Sequence, residues 1–284
     1  MSEVRDALRS ASDTLRRAGV ASPDVDAAEL LAHVLGTNRA ALLGLRVLPE
    51  GADEVYTGLV ERRASRVPLQ HLTGRVGFRY LDLAVGPGVF VPRPETEVLA
   101  GWAVDRAAEI AASGRAPVVV DLCTGSGAIA LAVATEVRGS EVHAVELSED
   151  AVAWAERNLA GSGVDLRLGD MAAAFPDLDG HVDVVVSNPP YIPLEAFESV
   201  VPEVRDHDPA PALWSGEDGL DAMRVLERAA ARLLRRGGWV GAEHADVQAS
   251  SAPAVFAGSG SWVDVRDHPD LAGRPRFVTA RLAP

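Results

Sequence analysis

From residue 117 onward, short β-rich runs alternate with helical stretches, and this alternation constrains the fold more than any other feature of the chain. Strands are expected at 117–122, 141–146, 164–169, 182–187, 238–243, 260–266 and 275–282. Helices are expected between them at about 126–137, 148–161, 217–235 and 246–257. Strand and helix in turn build a parallel α/β sheet with helices on its faces. Seven strands use up this region and leave little room for a further domain behind it.

The preceding residues read differently. Leu8, Leu15, Val25, Ala28, Leu31, Leu35, Val55 and Leu59 recur at helical spacing, and Pro23 after Ser22 marks a helix start with Ser22 as its cap. Glycines at 74, 77, 86 and 88 then punctuate short alternating segments, as in a β-hairpin. After Pro92 and Pro94 a helix follows over Glu95 to Ile110, with Glu95 and Glu97 in its first turn. The expected organisation is a small helical domain at 1–67, a β-hairpin linker at 68–92 and an α/β, Rossmann-like, seven-stranded sheet domain at 93–284.

Charge supports two surfaces. The chain of 284 residues has a formal net charge of −14, which argues against broad, direct nucleic-acid binding because such binding rests on many cationic contacts to phosphate. Residues 1–80 are nearly neutral, and Arg62, Arg63, Arg66, Arg75 and Arg79 form a patch there. That patch reads either as a solvated helix face or as the place where an RNA-bound partner is met. The single cysteine, Cys123, asks for no oxidising compartment, and no apolar run is long enough to span a membrane. A soluble, cytoplasmic protein is expected. The histidines have no metal-ligand spacing, so no metal is assigned.

Two loops carry the chemistry. Asp121-Leu-Cys-Thr-Gly-Ser-Gly127 joins an apolar strand to a helix, and Gly125 and Gly127 let a ligand approach the backbone. Glu146, ending the next strand, is placed to accept hydrogen bonds from two ribose hydroxyls. The turn lacks the dinucleotide spacing, and the chain contains no lysine for a phosphate loop. A nucleoside carrying an amino acid, such as S-adenosylmethionine, fits it better, with Asp121 facing a cationic group. Asp170 can meet the adenine amino group, with Met171 beside the ring. The second loop, Asn188-Pro-Pro-Tyr191, follows the strand Val184 to Ser187 at the end where α/β sheets bind ligands. An amide or exocyclic amine is a poor nucleophile. If the Asn188 side-chain oxygen and the Pro189 carbonyl each accept one of its N–H groups, the nitrogen can turn tetrahedral and aim its lone pair at a methyl group. The prolines stiffen the loop, and Tyr191 offers its ring to a planar substrate.

Five segments, Pro68-Leu-Gln-His-Leu-Thr-Gly74, Val91-Pro-Arg-Pro-Glu-Thr-Glu97, Asp121 to Leu131, Val186-Ser-Asn-Pro-Pro-Tyr-Ile192 and Ala272-Gly-Arg-Pro-Arg-Phe277, together resemble the bacterial release-factor glutamine methyltransferases, the HemK/PrmC family. The resemblance implies a class I methyltransferase sheet and methyl transfer from S-adenosylmethionine to the glutamine of a Gly-Gly-Gln loop in peptide chain release factors. It assigns Asn188, Pro189 and Tyr191 to catalysis, and Phe90 with Asn188, Pro189, Pro190 and Tyr191 to the substrate slot. It assigns Asp121, Cys123, Thr124, Gly125, Ser126, Gly127, Glu146, Asp170, Met171 and Asn188 to the cofactor. Cys123 stands where glycine is frequent, Glu146 where aspartate is, and Ala245 replaces the glycine of the Glu243 to Gln248 stretch.

Other functions stay open at this stage. A glutamine methyltransferase acting on a ribosomal protein would share nearly every motif. Methylation of an exocyclic amine on a nucleic-acid base uses the same loop, but acidity and the absence of a carboxyl-terminal base-recognition domain oppose it. Arg93 and Glu95 either shape the active site or cap the helix that follows. Cys123 reads as a small buried thiol rather than a nucleophile.

Overall fold

The computed structural model describes residues 3–284. These divide into two units, the first comprising residues up to Arg75 with Val201–His207, and the second Val76–Val200 with Asp208–Pro284.

The first unit is helical. Helices α1 (Val4–Arg17), α2 (Pro23–Val34), α3 (Arg39–Leu42), α4 (Ala52–Ala64) and α5 (Leu69–Thr73) enclose a core of Leu15, Ala27, Leu30, Leu31, Tyr56 and Val60. Helix α5 lies in the stretch assigned to the hairpin linker, so that linker opens with a helical turn. Two further expectations are corrected. Ser22 occupies the N-cap of α2, but its side chain makes no capping hydrogen bond. Val25 and Val55 face solvent rather than the core. The reason is that the inward faces of α2 and α4 carry charge: Asp26 and Arg63 are buried and paired at 2.7 Å. An apolar stripe read without them falls out of phase.

Seven residues from far along the chain complete this unit. Within Val201–His207 is the short helix α9 (Pro202–Arg205), and its Glu203 accepts hydrogen bonds from Arg63 at 2.9 Å and from Arg66 at 2.8 Å. Burial pushes the Glu203 carboxyl up, but the two guanidinium groups outweigh it and hold the pKa below the usual carboxylate range. Arg79, in the second unit, pairs with Glu136 at 2.7 Å. Three of the five patch arginines are therefore internal ion-pair partners, and the arginine patch is not a free docking face.

The second unit opens with a hairpin of β1 (Arg75–Phe78) and β2 (Leu81–Ala84), followed by α6 (Thr96–Ala112). The sheet then forms from β3 (Val118–Leu122), β4 (Glu141–Glu146), β5 (Asp165–Leu168), β6 (Val182–Ser187), β7 (Leu234–Glu243), β8 (Trp262–Pro269) and β9 (Pro275–Leu282), in the order β5-β4-β3-β6-β7-β9-β8. The first five are parallel, and β9 runs antiparallel to both its neighbours. Helices α7 (Ala128–Glu136), α8 (Glu149–Leu159), α10 (Asp221–Leu233) and α11 (Ser251–Gly258) complete the unit. Where one helix was expected at 246–257, a 3-10 turn at Asp246–Gln248 precedes α11.

Two apolar clusters sandwich the sheet. One packs α6 and α7 on it through Leu99, Ala103, Ile129 and Val133, the other α10 and α11 through Met223, Leu226, Ala230 and Phe256. The strands between are buried on both sides, which is why Val184 to Val186 of β6 are apolar without alternation. From β3 the chain winds outward to β5, then crosses back to β6 on the other side of β3. That reversal opens a crevice at the carboxyl ends of β3 and β6, where open α/β sheets bind ligands. Among the described residues no helix is long and apolar enough to cross a membrane.

Candidate active site

The crevice gathers the two loops. Leu122 of β3 stands opposite Ser187 of β6 and Val145 of β4, so Cys123, Asn188 and Glu146 leave three adjacent strands at one edge of the sheet. The Ser187 hydroxyl donates to the Leu122 carbonyl and ties the first two loops together.

The glycine turn is built around carboxylates. Asp121 is buried; its Oδ2 accepts from the Thr124 hydroxyl at 2.6 Å and the Ala130 N–H at 3.1 Å, while Oδ1 has no protein partner. Burial pushes its pKa up to about 7 against those hydrogen bonds. Glu146 accepts from Gly125 N–H at 2.8 Å through Oε2, and from Leu147 and Ser148 N–H at 2.9 Å each through Oε1. Its longer reach, compared with aspartate, is what lets it brace the turn across the strand gap. Gly127, at φ +83°, has the Leu159 side chain 3.0 Å from where a Cβ would stand, so a side chain is excluded there by conformation and by space. Cys123 also adopts a left-handed φ of +63°, which is the conformation that favours glycine at this position. Burial raises its thiol to about 12, and its Sγ lies 3.6 Å from Met171 Sδ. A thiol raised in this way is disfavoured as a thiolate nucleophile. Asp170 is exposed and accepts from Ala172 N–H at 2.8 Å.

The Asn-Pro-Pro-Tyr loop is held by side chains from three distant segments. Asn188 Nδ2 donates to Thr96 Oγ1 at 3.2 Å. The Tyr191 hydroxyl donates to Glu243 Oε1 at 3.2 Å, and the buried Oε2 of Glu243 has no protein partner. Glu243 is buried at the carboxyl end of β7, and burial pushes its pKa up to about 7, with Thr96, Arg276 and Tyr191 opposing. Burial, then Glu243, also drives the Tyr191 phenol upward, so it stays protonated. Gln248 Nε2 donates to the Tyr191 carbonyl at 3.1 Å and to the Asp218 carbonyl at 3.2 Å. Beyond Tyr191, Ile192 exchanges backbone hydrogen bonds with Leu213 and Ser215.

Phe90 and Arg93 are joined to this region. The Arg93 guanidinium stacks over the Phe90 ring at 5.0 Å and pairs with Asp208 at 2.7 Å. The Asp208 side chain is wholly buried, and burial raises its pKa to about 6 despite Arg93. Arg93 is thus held between Phe90 and Asp208. Glu95 occupies the N-cap of α6 but makes no side-chain cap. Thr96, Glu243, Gln248, Arg276 and Asp208 were not read as site residues from the sequence. The first four lie inside or beside segments that carry the family resemblance; Asp208 has no comparable signal. Ala245 sits at φ −68°, an extended conformation open to any residue, so its departure from glycine is harmless.

Comparison with known proteins gives the same picture. Residues 6–74 match the PrmC N-terminal domain, and residues 119–207 match a methyltransferase domain. The release factor glutamine methyltransferase of Streptomyces coelicolor is 58% identical over 97% of this chain and 97% of its own. The chain belongs to the release factor glutamine methyltransferase family. The Mycolicibacterium smegmatis member is 47% identical over 99% of this chain and 98% of its own. Among solved structures, the catalytic domain of hMettl16, crystallised with an RNA hairpin, shares the sheet with a TM-score of 0.52 at 14% identity, over 71% of this chain and 75% of that one. That likeness extends to the fold alone.

Proposed function

We infer that this chain methylates the side-chain amide nitrogen of the Gly-Gly-Gln glutamine in peptide chain release factors, with S-adenosylmethionine as donor. The observation that carries the site assignment is the register that sets Asn188 beside the glycine turn at the carboxyl ends of β6 and β3. Methyl donor and acceptor amide can then meet over one strand gap.

The residues present fit the donor. The unpartnered buried Oδ1 of Asp121 suits the cationic amino group of a methionine moiety, and Glu146 retains lone pairs for the ribose hydroxyls. Open space beside Gly125 admits the ligand close to the backbone. Met171 and Asp170 flank the adenine. S-adenosylmethionine supplies an electrophilic sulfonium methyl when bound; the chain supplies everything else. Asn188 Oδ1 and the Pro189 carbonyl accept the two N–H groups of the glutamine amide. These acceptors favour the nitrogen as it loses conjugation and gains positive charge in the transition state. Phe90, Pro190 and Tyr191 hold the flat amide between them, and Pro189 and Pro190 keep the acceptors ordered beforehand.

The helical unit docks the release factor. A single glutamine side chain offers too few contacts to select one protein, so a second surface is required. That surface lies away from Arg63 and Arg66, which are ion-paired within the unit. Leu43, Leu45 and Val47 form an exposed apolar run on this unit.

The test uses labelled S-adenosylmethionine with a release factor and with its Gln-to-Ala variant. Label passes to the first only. Asn188→Ala lowers turnover by about 10²–10³ while cofactor binding survives, the size expected for loss of one transition-state partner. Unchanged turnover refutes the role given to this loop.

A further inference from the structure

The Asn-Pro-Pro-Tyr loop has little with which to hold itself in place. Pro189 and Pro190 have no N–H to donate, and in the reaction inferred above the Asn188 oxygen and the Pro189 carbonyl are reserved for the substrate amide. Order in these acceptors must come largely from the two ends of the loop. We propose that Gln248 is a positioning residue for methyl transfer, clamping the Tyr191 end of the loop so that the Pro189 carbonyl stays aimed at the substrate. This rests on the assignment of Asn188 and Pro189 as amide acceptors.

The upstream end is tied by the Ser187 hydroxyl, which donates to the Leu122 carbonyl. The downstream end is tied by Gln248, a buried side chain with two protons to give and an oxygen to receive. Its Oε1 accepts the Ala245 N–H at 3.0 Å, and its Nε2 donates to the Tyr191 carbonyl at 3.1 Å and to the Asp218 carbonyl at 3.2 Å. One orientation of the amide satisfies all three contacts. The flipped amide would set Oε1 against two carbonyls and Nε2 against an N–H, turning three buried bonds into three mismatches. An ionised glutamate has no proton for the carbonyls, and methionine, of similar length, has none at all.

The surroundings fit the clamp. Gly219 has φ +75°, and a Cβ there would stand 2.4 Å from the Tyr191 carbonyl oxygen and 2.7 Å from Gln248 Nε2. Only glycine lets the chain pass so close to that bond. Tyr191 is thus gripped twice, at its hydroxyl by Glu243 at 3.2 Å and at its carbonyl by Gln248. Both grips come from the short stretch in which β7 ends. Ser187 of β6 stands opposite Ala242 of β7, so that stretch leaves the sheet beside the loop it holds. With φ fixed at both prolines and both ends tied, the Pro189 carbonyl has little freedom left. Gln248 itself is not placed against substrate or cofactor.

The experiment compares Gln248→Met, Gln248→Glu, Gly219→Ala and Asn188→Ala in the full-length enzyme, with intact release factor and saturating S-adenosylmethionine. Gln248→Met lowers kcat about 10- to 100-fold, the cost of letting a positioned group drift. KM for the release factor and Kd for the cofactor stay within about threefold of wild type, because the acceptors act in the transition state. Gly219→Ala, which leaves the glutamine intact and pushes on the bond from the other side, lowers kcat in the same way. Gln248→Glu is as slow as Gln248→Met at about pH 8.5. At about pH 6 its protonated carboxyl donates to the Tyr191 carbonyl while its other oxygen accepts from Ala245, and its kcat relative to wild type recovers several-fold. Taking the ratio to wild type removes the titration of Glu243, which both proteins share. This recovery is the test if Gln248→Met does not fold.

Wild-type kcat in Gln248→Met alongside a dead Asn188→Ala overturns the inference and leaves the Asn188 assignment standing, even where the melting temperature of Gln248→Met has fallen. A Gln248→Glu ratio that does not change with pH overturns it too, as does a parallel loss of cofactor affinity. Normal turnover by Asn188→Ala overturns the reading of the loop, and the inference with it.

Discussion

Glu146 offers the sharpest test of the cofactor site, because the structure gives both of its oxygens work before any ligand arrives. Three backbone N–H groups donate to them at 2.8–2.9 Å. In Glu146→Gln the remaining oxygen can stay with Leu147 and Ser148, but the amide nitrogen then meets the Gly125 N–H, donor against donor. The opposite rotamer breaks two bonds instead of one. A hydrogen bond to a charged group is worth about 1.5–3 kcal/mol, so the turn loses about that much order in the free protein. Ribose hydroxyls would face half the acceptor capacity. The expected rise in Kd for S-adenosylmethionine is about 10- to 100-fold, or about 1.4–2.8 kcal/mol. Glu146→Asp keeps the carboxylate, gives up the reach to Gly125 first, and retains cofactor binding within about fivefold, a loss under about 1 kcal/mol. Calorimetric titration of the three proteins measures this. Wild-type affinity in the glutamine variant refutes the ribose assignment, and equal weakening in both variants refutes the argument from charge.

Glu203→Ala removes the partner that Arg63 and Arg66 share and leaves Asp26 alone against two buried or half-buried guanidinium groups, so chemical denaturation registers a loss of about 2–4 kcal/mol. No measurable loss means the ion-pair network contributes nothing. Glu243 and Asp121 both have native pKa values raised by burial to about 7 from 4.5 and 3.8. The native state therefore binds protons that the unfolded state has lost, and stability falls as pH rises from about 4 to about 7. Glu243→Gln becomes progressively more stable relative to wild type across that window; a pH-independent difference in denaturation midpoint contradicts the raised pKa. Leu43→Asp combined with Leu45→Asp raises KM for the intact release factor about tenfold or more, as expected for loss of apolar docking contacts, and leaves a Gly-Gly-Gln peptide unaffected. Equal effects on both substrates rule out docking there. Deleting the whole amino-terminal region would be a poorer test, since Val201–His207 belongs to the same unit.

Most of what made the chain legible from its residues was local. Each strand and helix, the acid-x-x-x-Gly-x-Gly turn and the Asn-Pro-Pro-Tyr loop is signalled over a short stretch of sequence, where spacing translates directly into backbone geometry. The parallel sheet followed, and with it the crevice, because strand order at a reversal point leaves few choices for where ligands go. Three things were decided only in three dimensions. The inward faces of α2 and α4 were misread because a buried ion pair looks polar in the sequence and becomes internal only when Asp26, Arg63 and Glu203 meet. Residues 201–207 could not be assigned to the helical unit, since that membership depends on an ion pair across 140 positions. The support of Asn188 by Thr96 and of Tyr191 by Glu243 spans 92 and 52 positions. A hydrogen bond is set by distance in space, and a sequence read along its length holds the partners without the distance between them.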